Sequence, residues 1–160
     1  MTAGNHESGL IDCGDDRRLE LPRFEDEIRC AARSDVPVLI TGHPEEGREI
    51  ACAIDRRSRA PRGAVDVVDC RQRGAFTRVM SYAPSSRAGS AARRASILLL
   101  QEVHALSPNE QAEIDGRLAE LSAAGPRIIA SSSAPLFKRV QEGAFDERLF
   151  YRLNVIHLVV

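Results

Sequence analysis

The chain has 160 residues, 43% of them apolar, and a formal net charge of −1. That length suits one domain able to bury a real core, and without low-complexity tracts the composition is globular rather than disordered. A near-neutral balance gives no overall pull toward nucleic acid or an acidic surface, and no apolar run approaches the ~20 residues of a membrane span.

Residues 1–20 are polar and rich in Gly and Asp, without helical or strand periodicity. They are predicted to be a mobile leader, with the folded domain over 21–160. They lack the apolar core of a secretory signal, so a cytoplasmic location is expected. Cys13, Cys30, Cys52 and Cys70 are widely spaced with no C-x-x-C pair. Buried free thiols are expected, rather than a zinc site or a dithiol motif.

Phe24, Ile28, Ala31 and Ala32 recur at helical spacing, and Val36 to Thr41 follows as a buried strand. That strand runs into Gly42-His43-Pro44-Glu45-Glu46-Gly47-Arg48-Glu49, which has the glycine spacing of a phosphate-binding loop. Such a loop, G-x-x-x-x-G-K, surrounds phosphates with backbone N–H groups and adds a lysine. Here Arg48 stands at the lysine position, and Glu45 and Glu46 bring carboxylates where phosphate oxygens would sit. A like charge about 4 Å away costs on the order of a few kcal/mol at intermediate dielectric, equivalent to roughly a hundredfold in affinity.

Ile50, Ala53, Ile54 and Arg57 outline the next helix, and Val65 to Val68 a second strand. Residues 71–95, rich in Arg, Ser, Gly and Ala, are predicted to be an exposed loop. Ile97 to Leu100 is an apolar run typical of a parallel strand covered on both faces. Ser107, Pro108 and Glu110 then form a capping box, and Ile114, Leu118 and Leu121 carry a helix on to Gly125-Pro126. Residues 127–130 make a strand, 136–141 and 147–153 helices, and 155–160 a fifth strand. Strands alternating with helices imply right-handed crossovers and a parallel α/β sheet with helices on both faces. Ligands of such sheets bind at the carboxyl ends of strands, where residues 42–49, 101–104 and 131–133 would gather.

From about residue 24 to 160 these segments resemble the AAA+ ATPase domain of bacterial sigma-54-dependent activators. The most specific match is the run from Gly143 to Val155, GAFDERLFYRLNV, similar to the family's G-x-F-R-x-D-L-Y-Y-R-L-N-V; residues 34–42 and 127–130 match the entry to Walker A and the strand before the sensor. The resemblance implies a three-layer P-loop NTPase fold with a five-stranded parallel sheet. Because the sequence stops at the fifth strand, the family's helical lid and helix-turn-helix DNA-binding domain are expected to be missing from it.

The departures fall on the chemistry. Gly42, Gly47 and Glu49 keep the Walker A frame, but Gln101 stands where the family has the Walker B aspartate that organises Mg²⁺, and an amide lacks the charge that cation requires. Glu102 keeps the position that would activate water, and Ser133 occupies the sensor position. Of the family's two trans-acting arginines, the first corresponds to Asp146, which can instead cap a helix, and the second to Arg152. Gly74 to Thr77 matches the start of the family's GAFTGA contact loop, with Arg78-Val79 replacing its Gly-Ala, and coincidence with a shortened surface loop is the preferred account of so short a match. Arg56, Arg57 and Arg59, and Arg93-Arg94, suit solvated faces, and His43 and His104 lack a ligand-spaced partner.

The expected function is therefore a sigma-54 activator-like regulatory module, a pseudo-ATPase acting through protein contacts and needing no cofactor or metal. Its expected partner is an intact sigma-54 activator or the sigma-54 RNA polymerase, without direct DNA or membrane contact. The alternative is a divergent ATPase that uses ATP and Mg²⁺, with Glu102 polarising water, to remodel that polymerase.

Overall fold

The computed structural model describes residues 9–14, 22–61, 63–82, 97–121 and 125–160. Its strands are β1 (Gly9–Asp12), β2 (Val38–Thr41), β3 (Ala64–Asp69), β4 (Ile97–Gln101), β5 (Arg127–Ser132) and β6 (Ile156–Val159). Its helices are α1 (Glu25–Ala32), α2 (Pro44–Arg57), α3 (Ala75–Ser81), α4 (Pro108–Leu121), α5 (Leu136–Gln141) and α6 (Glu147–Leu153). One sheet has the order β1-β3-β4-β5-β2-β6, parallel from β3 to β6 and antiparallel only between β1 and β3.

Strand alternation divides the core into two layers. Leu39, Leu98, Leu100, Ile128 and Ala130 pack with Val79, Ile114, Leu118, Leu136, Leu149 and Leu153, residues of α3 to α6. Val38, Ile40, Ile97, Leu99 and Ile129 point the other way, onto Ile28 of α1 and Ile50 and Ile54 of α2. This is the double coverage that the unbroken apolar run of β4 requires.

The five expected parallel strands are present, together with four departures. Gly9–Asp12, assigned above to the leader, pairs along β3 in the register Gly9↔Val67 to Asp12↔Ala64, giving a sixth strand. Only Ile11 of this short segment packs toward the core, too little apolar content to announce a strand. Cys13 and Cys52, expected as free thiols, form a disulfide 39 residues apart in sequence, while Cys30 is free but exposed and Cys70 free and buried. Burial pushes the Cys70 thiol pKa up, with Asp69 adding to the shift.

The third departure is α2, which begins at Pro44, inside the glycine frame, because Pro at the first helical position and Glu45 and Glu46 in the first turn favour a helix start. The fourth lies in the segment expected as a loop, where residues 75–81 form α3, with Val79 fully buried and Phe76 packed against the core. Residues 83–95 of that segment, with Arg93-Arg94, lie outside the described residues, as does most of the leader.

The capping box of α4 is formed: Ser107 N donates to Glu110 Oε2 at 2.8 Å and Glu110 N to Ser107 Oγ at 3.4 Å. Asp146 caps α6 by accepting from Leu149 N at 2.8 Å. Buried Gln111 joins the two helices, donating to Leu106 O (2.8 Å) and Ala144 O (3.4 Å) and accepting from Asp146 N (2.7 Å). Gln111→Ala strands these buried groups and should cost about 2–3 kcal/mol in urea unfolding, against about 1 kcal/mol for Ser107→Ala. Equal, small losses would show that Gln111 does not hold α4 to α6.

Candidate functional site

Four residues at the carboxyl ends of the strands lie in a row beneath α2. Asp69 pairs in register with Gln101, Ile40 with Ser131, and the β4–β5 ladder through Leu100↔Ala130 brings Gln101 beside Ser131. Gln101 continues the face of Ile97 and Leu99, and Ser131 that of Ile129, so both polar side chains are buried under the helix. Asp69 is held by Arg71, whose Nη2 and Nε donate at 2.7 and 3.0 Å and whose backbone N donates at 3.0 Å.

Arg48, the fifth residue of α2, reaches down into this row. Its Nε donates to Gln101 Oε1 at 2.7 Å, so the Walker A cation position and the Walker B position are joined directly. Arg48 Nη2, Gln101 Nε2 and Ser131 Oγ are buried without a partner among the described residues. Gly47 packs so closely on Ser131 that a Cβ would lie 3.0 Å from the serine Cβ. Gly42 is closer still to its neighbour, since a Cβ there would meet Val160 Cγ2 at 2.2 Å. Both glycines are therefore explained by close approach within the chain itself.

The backbone amides of the frame are largely engaged. Gly42 N donates to Ser132 O at 3.0 Å and Gly47 N to His43 O at 3.1 Å. His43 N donates to Glu46 Oε2 at 3.1 Å, Glu45 N reaches His43 Nδ1 at 3.4 Å, and Pro44 has no amide hydrogen. His43 is thus a helix cap, while the Glu45 and Glu49 side chains face solvent.

Beyond β4, Glu102 adopts a left-handed backbone at φ 58°, uncommon for a side-chain-bearing residue. Its carboxylate accepts from Ser133 N at 2.8 Å and Ser133 Oγ at 2.7 Å, so the general-base and sensor positions are in contact. His104 Nδ1 lies 3.0 Å from Ser132 Oγ, and its Nε2 is 3.8 Å from Glu102. Arg152 belongs to the opposite layer, on α6, where its Nε donates to Asp115 of α4 at 2.6 Å. Arg78 and Tyr82 both donate to buried Asp66 of β3, tying α3 to the sheet, an anchor with no pattern to reveal it in the sequence. That contact and burial raise the Tyr82 pKa, burial being the larger cause.

Residues 19–160 match the family model described as the Sigma-54 interaction domain. The chain belongs to that family. This sigma-54 interaction domain is 34% identical over 155 residues to the Regulatory protein AtoC of Escherichia coli (strain K12), covering 81% of this chain and 33% of AtoC. It is 32% identical over 168 residues to the DNA-binding transcriptional regulator NtrC of Salmonella typhimurium, covering 87% of this chain and 35% of NtrC. The chain thus spans about a third of the length of these relatives. Among solved structures it is similar to NtrX from Brucella abortus in complex with ATP, with 25% identity and TM-score 0.67 over 87% of this chain and 36% of that one. It shares its fold with the P-loop NTPase domain of an E. coli sigma-54 activator, with TM-score 0.59 and 15% identity over 80% of this chain and 98% of that one.

A Mg²⁺-nucleotide is the group this fold family implies. In this sigma-54 interaction domain the amides of Gly42, His43, Glu45 and Gly47 already donate within the chain, and Arg48 is bonded to Gln101. Gln101 offers an uncharged oxygen that is already accepting. The donor set does not fit the group. Among the described residues no cluster of three His, Cys, Asp or Glu side chains is placed to hold a metal ion.

The two histidines near the strand ends set a pH dependence. Burial lowers the pKa of His104, against the opposing pull of Glu102, and burial lowers that of His157, whose Nε2 lies 2.8 Å from Thr41 Oγ1. The unfolded chain therefore takes up protons first as pH drops below the ordinary imidazole value of about 6.5. The histidine contribution is intact above that pH and is lost as pH falls toward the depressed folded values. Urea unfolding between about pH 7.5 and 5.5 should show falling stability, with a flatter slope in the His104→Gln, His157→Gln double variant. An unchanged slope would place the dependence on other groups.

Proposed function

We propose that this chain is a sigma-54 activator-like regulatory domain that does not hydrolyse ATP and acts through protein contacts. The observation that carries this reading is the 2.7 Å bond between Arg48 and Gln101. In a working site the cation at the first position meets phosphate and the carboxylate at the second meets Mg²⁺; here each side chain meets the other. The Glu46 carboxylate on the His43 amide supports it, because an anion supplied by the chain already sits at the positive end of α2. Asp146 caps a helix and Arg152 is paired with Asp115 while its side chain stays 35% exposed, so neither former finger position is committed to a nucleotide and Arg152 can still meet a partner.

The contact-loop match also favours a role without direct remodelling of sigma-54. Arg78 and Val79, which replace the Gly-Ala of that loop, are the residues that bind α3 to Asp66 and bury it in the core. The partner proposed is therefore an intact activator subunit, reached through the α4–α6 layer that carries Arg152. The second reading, a working ATPase, draws on the two Ser133 bonds that hold Glu102 in place and on the ATP bound by NtrX.

Calorimetry distinguishes the two. Affinity for Mg-ATP should be weaker than about 1 mM with no phosphate release, and Arg48→Lys alone should not restore either, since Gln101 and Glu46 remain. Saturable micromolar binding with turnover would establish the second reading instead. Titrated into a working activator, the protein should lower its ATPase activity, and Arg152→Ala should shift that titration curve. Unchanged activity at large excess would remove the activator as partner.

A further inference from the structure

The Cys13–Cys52 disulfide lies outside the site and serves none of its chemistry. It joins the residue following β1 to the middle of α2, and both cysteines are buried, at 4% and 6% exposure. The strand it secures is weakly held by other means. β1 has four residues, Leu10 is 41% exposed, and among the described residues Ile11 is the one β1 side chain packed against the core. Besides the backbone ladder to β3, the ties among the described residues converge on the same point: Cys13 N donates to Gly63 O at 2.7 Å, and Arg56 Nη1 donates to Cys13 O at 2.7 Å and Gly14 O at 3.2 Å. With β1 in place β3 is an inner strand; without it, β3 becomes the edge of the sheet. An uncovered edge is a template for pairing with another chain.

We propose that Cys13 and Cys52 form a redox switch that decides whether β1 is docked and the β3 edge covered. Reduction proceeds by thiol–disulfide exchange with a low-molecular-weight thiol such as glutathione. One thiolate attacks a cysteine sulfur, and the S–S bond breaks to leave a mixed disulfide and a protein thiolate; a second glutathione thiolate then attacks the glutathione sulfur of the mixed disulfide and releases the other protein thiolate. In balance, two protein thiols form as two glutathiones are joined; the reverse exchange with glutathione disulfide restores the bridge. Because both sulfurs are buried, attack requires β1 to open locally, so reduction and undocking are coupled. Cys30 is exposed on α1 and Cys70 is buried in the opposite layer, so neither competes for the pair.

The test equilibrates the full chain with glutathione or glutathione disulfide, counts free thiols by mass spectrometry and follows amide hydrogen exchange. On reduction, two thiols should appear and exchange should rise about tenfold or more over residues 9–14 and 63–67, with β4 and α4 unchanged. Cys13→Ser and Cys52→Ser should match the reduced protein in either buffer, and Cys30→Ser should match wild type. Protection at β4 confirms that each variant is folded. Four free thiols after equilibration with glutathione disulfide would overturn the proposal, as would unchanged exchange at 9–14 and 63–67 once the two thiols have appeared.

Discussion

A parallel sheet covered on both faces leaves its polar groups only one place to gather, the ends of its strands. β4 makes the constraint visible: Ile97, Leu98, Leu99 and Leu100 are all buried, two toward α1 and α2 and two toward the α3–α6 layer. Each such side chain is worth about 1.5–3 kcal/mol when removed from water, so a polar group within the run would forfeit that and add its own desolvation. Gln101 is the first residue at which the strand can turn polar, and it does so under a helix that brings Arg48 to meet it. Asp66, inside β3, is the exception, and its partners Arg78 and Tyr82 are what fix α3 in position.

The same constraint concentrates the electrostatics. The start of α2 carries roughly half a positive charge from aligned peptide dipoles, and Glu46 folds back to meet it. Arg48 sets its guanidinium beside a neutral amide, with Nη2 lacking a partner among the described residues, an uncommon arrangement in a buried place. Glu102 holds a left-handed conformation that costs on the order of 1–3 kcal/mol, offset by two hydrogen bonds from Ser133. The strained residue is therefore at the strand end facing the sensor position, while the frame beside it is internally satisfied.

The layered fold was readable because its signals are local and repeat. The apolar run of β4, the helix start at Ser107-Pro108 and the stripe of Ile114, Leu118 and Leu121 need no information from elsewhere in the chain. The start of α2 was harder, because Pro44, Glu45 and Glu46 favour a helix while the glycine spacing favours an open loop. The helix prevailed once Glu46 could close on the His43 amide. α3 was obscured by low apolar content: its hold on the body comes from Val79 and from Arg78 reaching a carboxylate twelve residues away. β1 had one inward apolar residue and gained its place from backbone pairing, which carries no side-chain signature.

From sequence alone came the strand and helix alternation, the family likeness of residues 143–155 and the identities of the residues standing at the Walker, sensor and finger positions. Those follow from residue type and spacing, which determine period, capping and charge. Tertiary structure alone decided that Arg48 and Gln101, 53 residues apart, bond to each other, that Arg152 turns to Asp115, and that Cys13 meets Cys52. Each is a pairing between side chains on different elements, and such pairings depend on strand order and register, which bring distant residues within a few ångströms and leave no trace in local pattern.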